Sequence, residues 1–181
     1  MERSLKDMTL EELWQLFPVV LSPHRPEWKF WAAEEIMALE GLLAHFSPII
    51  SHVGSTAIPG IHAKPTVDIL VELPAAVSFP AVKTLMEDSG YICMSEEETR
   101  MSFNKGYTPS GYAERVFHIH FHRCGDRAEI CFRDYLIAHP DLAREYEALK
   151  LSLIPAYTHN RDGYTEAKSD FVSRVLALAK S

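Results

Sequence analysis

Cysteine is scarce in this sequence and poorly placed for pairing. Cys93, Cys124 and Cys131 are three in number and show no CxxC spacing, which argues against a disulfide scaffold or zinc ribbon and for reduced thiols in a cytoplasmic protein. No apolar run approaches the ~20 residues of a membrane-spanning helix. The charged start MERSLKDMTLEELW lacks the apolar stretch of a secretory leader. Eight glycines and eleven prolines are too few for a collagen-like or low-complexity chain. Positive charge is short as well: 18 basic against 25 acidic residues leave a net charge of −7. Neither membrane binding nor broad nucleic-acid binding through net charge is therefore expected. No internal repeat or linker-like stretch divides the chain, so residues 1–181 are expected to form one domain. With 47% hydrophobic residues, that domain can bury a core without covalent staples.

The remaining pattern is that of an α+β protein. Thr9-Leu-Glu-Glu12 is a capping box ahead of Leu13, Trp14, Leu16 and Phe17, predicting a helix over 9–17. Pro26 suits the first turn of a second helix reaching about 45, with apolar residues from Trp28 to Leu43 at helical spacing. Strands are expected at 49–53 and 67–72, the latter so continuously apolar that it reads as central. A helix over 79–89 stops at Gly90. Short strands at 91–93 and 101–103 and a clearer one at 115–122 follow, then helices at 140–153 and 163–179. The order predicts a mixed sheet covered on one side by helices.

Three features carry chemistry. Strand 49–53 runs into Gly54-Ser55-Thr56, a turn whose N–H groups and hydroxyls can cradle phosphate oxygens, and Asp68 lies on the next strand. A carboxylate inside Thr-Val-Asp-Ile-Leu-Val is expensive to bury without a partner, and it can hold the Mg²⁺ that travels with a nucleotide. In Phe117-His118-Ile119-His120-Phe121-His122 the alternation of a strand puts all three histidines on one face. Neighbouring imidazoles there stand about 6.7 Å apart, so two can converge on one metal with Asp68 as a third ligand. Finally, residues 100–133 hold six basic and three acidic side chains inside an acidic protein, a local excess that suits an anionic ligand. For any one of these basic residues taken alone, a solvated hairpin rim is the stronger reading. Met37, Met86 and Trp31 read as core, and Arg144, Glu145, Glu147 and Lys150 as the wet face of a helix. Tyr164 and Lys168 lie one turn apart and fit either the site or the surface.

The block His52-Val53-Gly54-Ser55-Thr56-Ala57-Ile58-Pro59-Gly60, with Ala63-Lys64-Pro65-Thr66-Val67-Asp68-Ile69, resembles the GrpB-like family. The resemblance extends over Glu12 to Pro18, Pro26-Glu27-Trp28, Phe117 to Phe121, Phe132 to Leu136, His139-Pro140, Tyr146 to Lys150 and Tyr164 to Val172. That family looks like a branch of the polymerase-β-like nucleotidyltransferase superfamily. The resemblance implies a nucleotidyltransferase-like mixed β-sheet flanked by helices, with additional N- and C-terminal helices. It also implies a metal-binding, nucleotide-binding transferase that moves a nucleoside monophosphate from a nucleoside triphosphate to a small-molecule or protein acceptor. On that pattern Gly54, Ser55 and Thr56 hold phosphate, Asp68 binds Mg²⁺ or Mn²⁺, and His118 or His120 acts as metal ligand or general base. Lys64, Arg100, Lys105 and Arg133 are then the candidates to neutralise phosphate charge. The superfamily's second carboxylate falls at Leu70. Glu72, about 13 Å from Asp68 along the strand, is too far to share its ion. A non-catalytic nucleotide-binding or interaction module is therefore an alternative, as is a His/Asp metal-dependent hydrolase with Zn²⁺.

Overall fold

The computed structural model describes residues 5–180. At its centre is a five-stranded mixed sheet built from β1 (Ile49–Val53), β2 (Val67–Leu73), β3 (Ile92–Glu96), β4 (Arg100–Thr108) and β5 (Gly111–Arg123), in the order β1-β2-β5-β4-β3. Only the central β2–β5 pair is parallel. Buried on both faces, β2 accounts for its near-continuous apolar sequence.

Strand alternation sorts the sheet into two faces. Val67, Ile69, Val71, Phe117, Ile119, Phe121 and Phe103 form the packing face, covered by α2 (Glu27–Leu42) and α3 (Phe79–Asp88) through Trp28, Leu39, Leu43, Val82 and Met86. Lys105 belongs to this face. It stands opposite Phe117 in the register and pairs with the buried Glu35 of α2 at 2.7 Å, over the Tyr91 and Phe117 rings. A phosphate role for Lys105 is therefore corrected: the sheet lies between it and the histidines.

The other face carries Asp68, Leu70, Glu72, His118, His120 and His122. Helices cover this face as well, where the sequence had suggested cover on one side only. Beyond it lie α4 (Ala128–Ala138), α5 (Pro140–Tyr157), α6 (Arg161–Glu166) and α7 (Ser169–Leu178). They share a second core with the 58–61 loop through Ile58, Ile61, Phe132, Leu136, Tyr146, Phe171 and Val175. Leu70 is fully buried between Val53 and Ile130 of α4. The capping box forms as expected, with Thr9 and Glu12 bonding each other's backbone ahead of α1 (Leu10–Leu16).

Several expectations are corrected. Met37 is 71% exposed, whereas Met86 is core. The single helix expected over 163–179 is broken between α6 and α7 at Ala167 and Lys168, and α4 was not anticipated. Lys150, read as wet, is 2% exposed. Among the described residues no helix is long and apolar enough to cross a membrane, and the three cysteines are free.

Candidate functional site

Asp68 organises the site. Its position near the start of β2 and the parallel register place it beside His118, and the alternation brings His120 to the same side. Asp68 Oδ1 lies 3.4 Å from His118 Nδ1 and 3.2 Å from His120 Nε2. A tetrahedral ion with bonds of about 2.1 Å holds its ligands about 3.4 Å apart, so these donors sit at metal-ligating separations. One carboxylate and two imidazoles suit Mn²⁺ or Zn²⁺ better than Mg²⁺, which prefers oxygen ligands.

Burial works to raise the Asp68 carboxyl, but hydrogen bonds from His118 and His120 outweigh it and hold the group well below the usual carboxylate range. The same burial takes His118 down to about 4 despite Asp68. For His120, burial is overcome by Asp68, with a smaller contribution from Glu129, and the net shift is upward. The two imidazoles thus differ: His118 is neutral, and His120 titrates above the ordinary histidine value.

The turn after β1 approaches this carboxylate closely. Gly54 has φ 71° and ψ −173°, a conformation open to glycine, and a Cβ there would stand 2.4 Å from Asp68 Oδ2. Glycine is required at 54 because Asp68 occupies the space of a side chain. Ser55 follows and hydrogen-bonds Tyr146 of α5, whose phenol burial pushes up to about 12. Thr56 turns away: it is buried, and His52 Nε2 lies 2.9 Å from its hydroxyl. Its hydroxyl faces His52 instead of the cleft, which corrects the phosphate-binding role expected for Thr56.

Gly54, Ser55, Lys64, Asp68, Arg100, His118 and His120 line one cleft of about 590 Å³. Arg100 is half-exposed there and pairs with Asp126 at 2.6 Å. Arg133 is not among the lining residues. Its guanidinium donates to the His52 carbonyl at 2.6 Å and pairs with Asp134, clamping α4 to β1. Arg133 is therefore corrected from phosphate ligand to brace.

Three further cations reach the cleft from the C-terminal helices: Lys150, Arg161 and Lys168. Burial and the neighbouring Lys168 take Lys150 down to about 7, and burial together with Lys64 takes Lys168 down to about 8. Lys64 is lowered too, first by burial and then by Arg161. Lys168 lies over the Tyr164 ring at 4.3 Å, and Lys150 over Tyr146 at 4.7 Å. Among the described residues no carboxylate within salt-bridge distance pairs with Lys64, Lys150 or Lys168. The site is thus a carboxylate–imidazole cluster facing several ammonium groups whose burial and mutual repulsion outweigh the attraction of Asp68 and Glu147.

Sequence reasoning also missed Tyr107. Its hydroxyl lies 2.7 Å from His118 Nε2, leaving Nδ1 to face Asp68. Strict alternation from Asn104 would put residue 107 on the packing face. A bulge at Gly106 (φ 88°), where a Cβ would stand 2.2 Å from the Arg115 carbonyl oxygen, reverses the parity. The Gly106-Tyr107 pair was the available signal.

A family model for the GrpB protein matches residues 18–178. The chain belongs to the GrpB family. It is 37% identical over 160 residues to a UPF0157 protein of Pseudomonas aeruginosa, covering 87% of this chain and 66% of that protein. It is 32% identical over 164 residues to the glutamate-rich protein GrpB of Alkalihalophilus pseudofirmus, covering 87% and 94% of the two chains. The UPF0157 protein YqkA of Bacillus subtilis is 31% identical over 134 residues, and there the match spans 38% of the relative's length. The match thus spans less than two thirds of the length of the Pseudomonas aeruginosa and Bacillus subtilis relatives.

Among solved structures, the GrpB protein of Enterococcus faecalis superposes with a TM-score of 0.75 at 28% identity, covering 88% of this chain and 96% of that one. A variant of the Cid1 poly (U) polymerase bound to MgATP superposes with a TM-score of 0.50 at 14% identity, covering 78% and 44%. The fold is therefore nucleotidyltransferase-like, a mixed sheet flanked by helices. In this GrpB chain it joins Asp68, the two histidines and the lysines in one cleft.

Proposed function

We propose that the cleft binds a nucleoside triphosphate with a divalent cation and transfers its nucleoside monophosphate to a small-molecule or protein acceptor. The observation that carries this reading is the set of ammonium groups of Lys64, Lys150 and Lys168, the second buried and the others half-buried, which line the cleft beside the Asp68 cluster with no carboxylate at salt-bridge distance among the described residues. Clustered, partly desolvated cations whose neighbouring carboxylates do not offset their burial call for a polyanion, and a triphosphate supplies one. Asp68 and His118 would hold Mn²⁺ or a similar ion, which when bound supplies Lewis-acid stabilisation of phosphoryl charge.

The acceptor oxygen forms a bond to the α-phosphorus, the bond to the bridging oxygen breaks, and pyrophosphate leaves. Lys64, Lys150 and Lys168 neutralise the charge that builds on the leaving group. His120, its side chain 34% exposed and its basicity raised above the ordinary histidine value by Asp68, takes the acceptor's proton. Ser55 and the Gly54 backbone position the phosphates. The polymerase resembled in fold is described with bound MgATP, which supports a nucleotide as ligand.

Binding without transfer is a second reading, favoured by Leu70, which fills the place of a second carboxylate. Thermal-shift and calorimetric titrations with nucleoside triphosphates, with and without Mn²⁺, test binding. Release of pyrophosphate from a labelled triphosphate tests transfer. Cation-dependent stabilisation that is lost in Asp68→Asn is expected, and equal affinity in that variant would remove Asp68 from the site.

A further inference from the structure

We infer that the chain holds a second divalent cation, of the zinc class, between His122, Asp126 and Glu129. Three elements meet there: the end of β5, the turn leading into α4, and the first turn of α4 itself. The three residues each bring a ligand atom within 4.8 Å of the others. His122 is 3% exposed, its Nδ1 faces Asp126 Oδ2 at 3.4 Å and its Nε2 faces Glu129 Oε1 at 3.4 Å.

The orphaned atoms point to a ligand. His122 Nδ1 and Glu129 Oε2 are buried without a hydrogen-bond partner. Buried polar groups are nearly always satisfied, and one ion bridging these side chains would satisfy both. The local charge leaves room for it. Glu72, 2% exposed, stands opposite His122 in the β2–β5 register and has Arg127 as its cationic neighbour at 3.7 Å. Asp126 takes Arg100. Both arginine side chains are at least half exposed, so each can swing into solvent when a cation arrives. What remains is one imidazole among three carboxylates.

One nitrogen and two carboxylate oxygens suit zinc; Asp126 Oδ2 already stands 3.4 Å from Nδ1, while Glu129 Oε1 faces Nε2 and must turn to reach an ion on the Nδ1 side. Nδ1, the nitrogen without a partner, is the ligating atom. Glu129, one-third exposed in its side chain, has the freedom to close on it. Asp68 stands opposite His118 and Glu72 opposite His122, with the fully buried Leu70 between the two levels. This ion therefore fastens the end of β5 to α4 instead of joining the chemistry at Asp68, and it forms one wall of the cleft through Glu129.

Zinc alone is the probe. The full chain is stripped with chelator and dialysed against Zn²⁺, and bound metal is counted for wild type, Asp68→Asn, Glu129→Gln, Asp126→Asn and the Asp68→Asn/Glu129→Gln pair. Far-UV circular dichroism checks that each variant is folded. The isosteric Glu129→Gln and Asp126→Asn spare the buried His122, whose truncation could unfold the chain. Two ions are expected in wild type, one in each single variant and none in the pair. Retention by Asp68→Asn of an ion that Glu129→Gln loses supports the site even if the Asp68 reading fails. Any other pattern, including a wild type that binds one ion lost in Asp68→Asn, overturns it.

Discussion

Lys150 offers a direct measure of whether the cleft is built for an anion. Its ammonium lies 2% exposed in α5, donating to the His62 carbonyl and lying over Tyr146, with Lys168 repelling it and Glu147 offsetting part of the cost. Burial first, and Lys168 second, lower it from 10.5 to about 7. At 1.36 kcal/mol per pH unit this corresponds to about 5 kcal/mol of destabilisation in the ligand-free chain. The unfolded chain binds the proton more tightly, so the penalty is fully present below pH 7 and fades as pH rises toward 10.5. Stability should therefore climb between pH 7 and 9, and Lys168, lowered to about 8, adds in the same direction. Lys150→Met removes the cation and also the bond to His62, which costs about 1 kcal/mol. Below pH 7 the variant should thus be more stable by about 2–4 kcal/mol, with a flatter pH profile. Urea unfolding from pH 6.5 to 9 reads both. A bound triphosphate would restore the charged lysines, so binding at pH 8 should take up protons, seen in calorimetry as a heat that depends on the buffer's ionisation enthalpy. A flat wild-type profile, a destabilised Lys150→Met at pH 6.5 and buffer-independent heats would together refute the reasoning.

Other substitutions probe the geometry. Gly54→Ala places a Cβ 2.4 Å from Asp68 Oδ2 in a conformation reserved for glycine; it should cost about 1–3 kcal/mol, a melting-temperature drop of about 2–12 °C, and weaken Mn²⁺ binding. Unchanged Mn²⁺ affinity in that variant would sever the turn from the Asp68 cluster. Tyr107→Phe removes the hydroxyl on His118 Nε2 and should lower Mn²⁺ affinity about 10–100-fold, with a change of His118 tautomer visible in nitrogen-15 spectra; an unaltered tautomer would make Tyr107 mere packing. Leu70→Asp puts a carboxylate among Val53 and Ile130, so it should cost about 3 kcal/mol or more without gaining ion affinity, as a urea midpoint and a Mn²⁺ titration will show.

What the sequence made legible was local. Alternation and apolar continuity fix β1 and β2, and the capping box fixes the start of α1, because these depend on neighbours along the chain. Asp68, His118 and His120 could be grouped because two strands and a period of two suffice to place them. Lys105 was misplaced because a linear count of basic residues ignores which face of β4 each occupies; its register partner Phe117 turns it to the packing side. Lys150 looked wet because Arg144, Glu145 and Glu147 surround it in sequence. It is buried only once α5 packs on the 58–64 loop, a tertiary event with no local signature. α4 was overlooked because no side chain caps it and its apolar residues Ile130, Phe132 and Leu136 make an irregular helical stripe. Lys168 points into the cleft because the chain breaks between α6 and α7, where periodicity alone reads one helix.

Leu70 gives these features a common sense. On the site face of β2 the side chains run Asp68, Leu70, Glu72, opposite His118, His120 and His122. The middle position is apolar and fully buried with Val53 and Ile130. A carboxylate there would link the two polar levels into one array. Leucine separates them, leaving Asp68 with imidazoles for partners at one level and Glu72, Asp126 and Glu129 around His122 at the next. On the proposed transfer, the charge that a second ion would bring to a phosphoryl group near Asp68 would have to come from elsewhere, and the lysines of the 64 loop, α5 and the α6–α7 break line the same cleft. Their ammonium groups are diffuse and mobile compared with an ion held in fixed coordination, so transfer through this cleft should be slow relative to a two-metal site. Replacing Lys168 with Met should slow it further, while leaving Mn²⁺ binding intact. Transfer rates unchanged in Lys168→Met, measured by pyrophosphate release, would show that the lysines do not stand in for the missing ion.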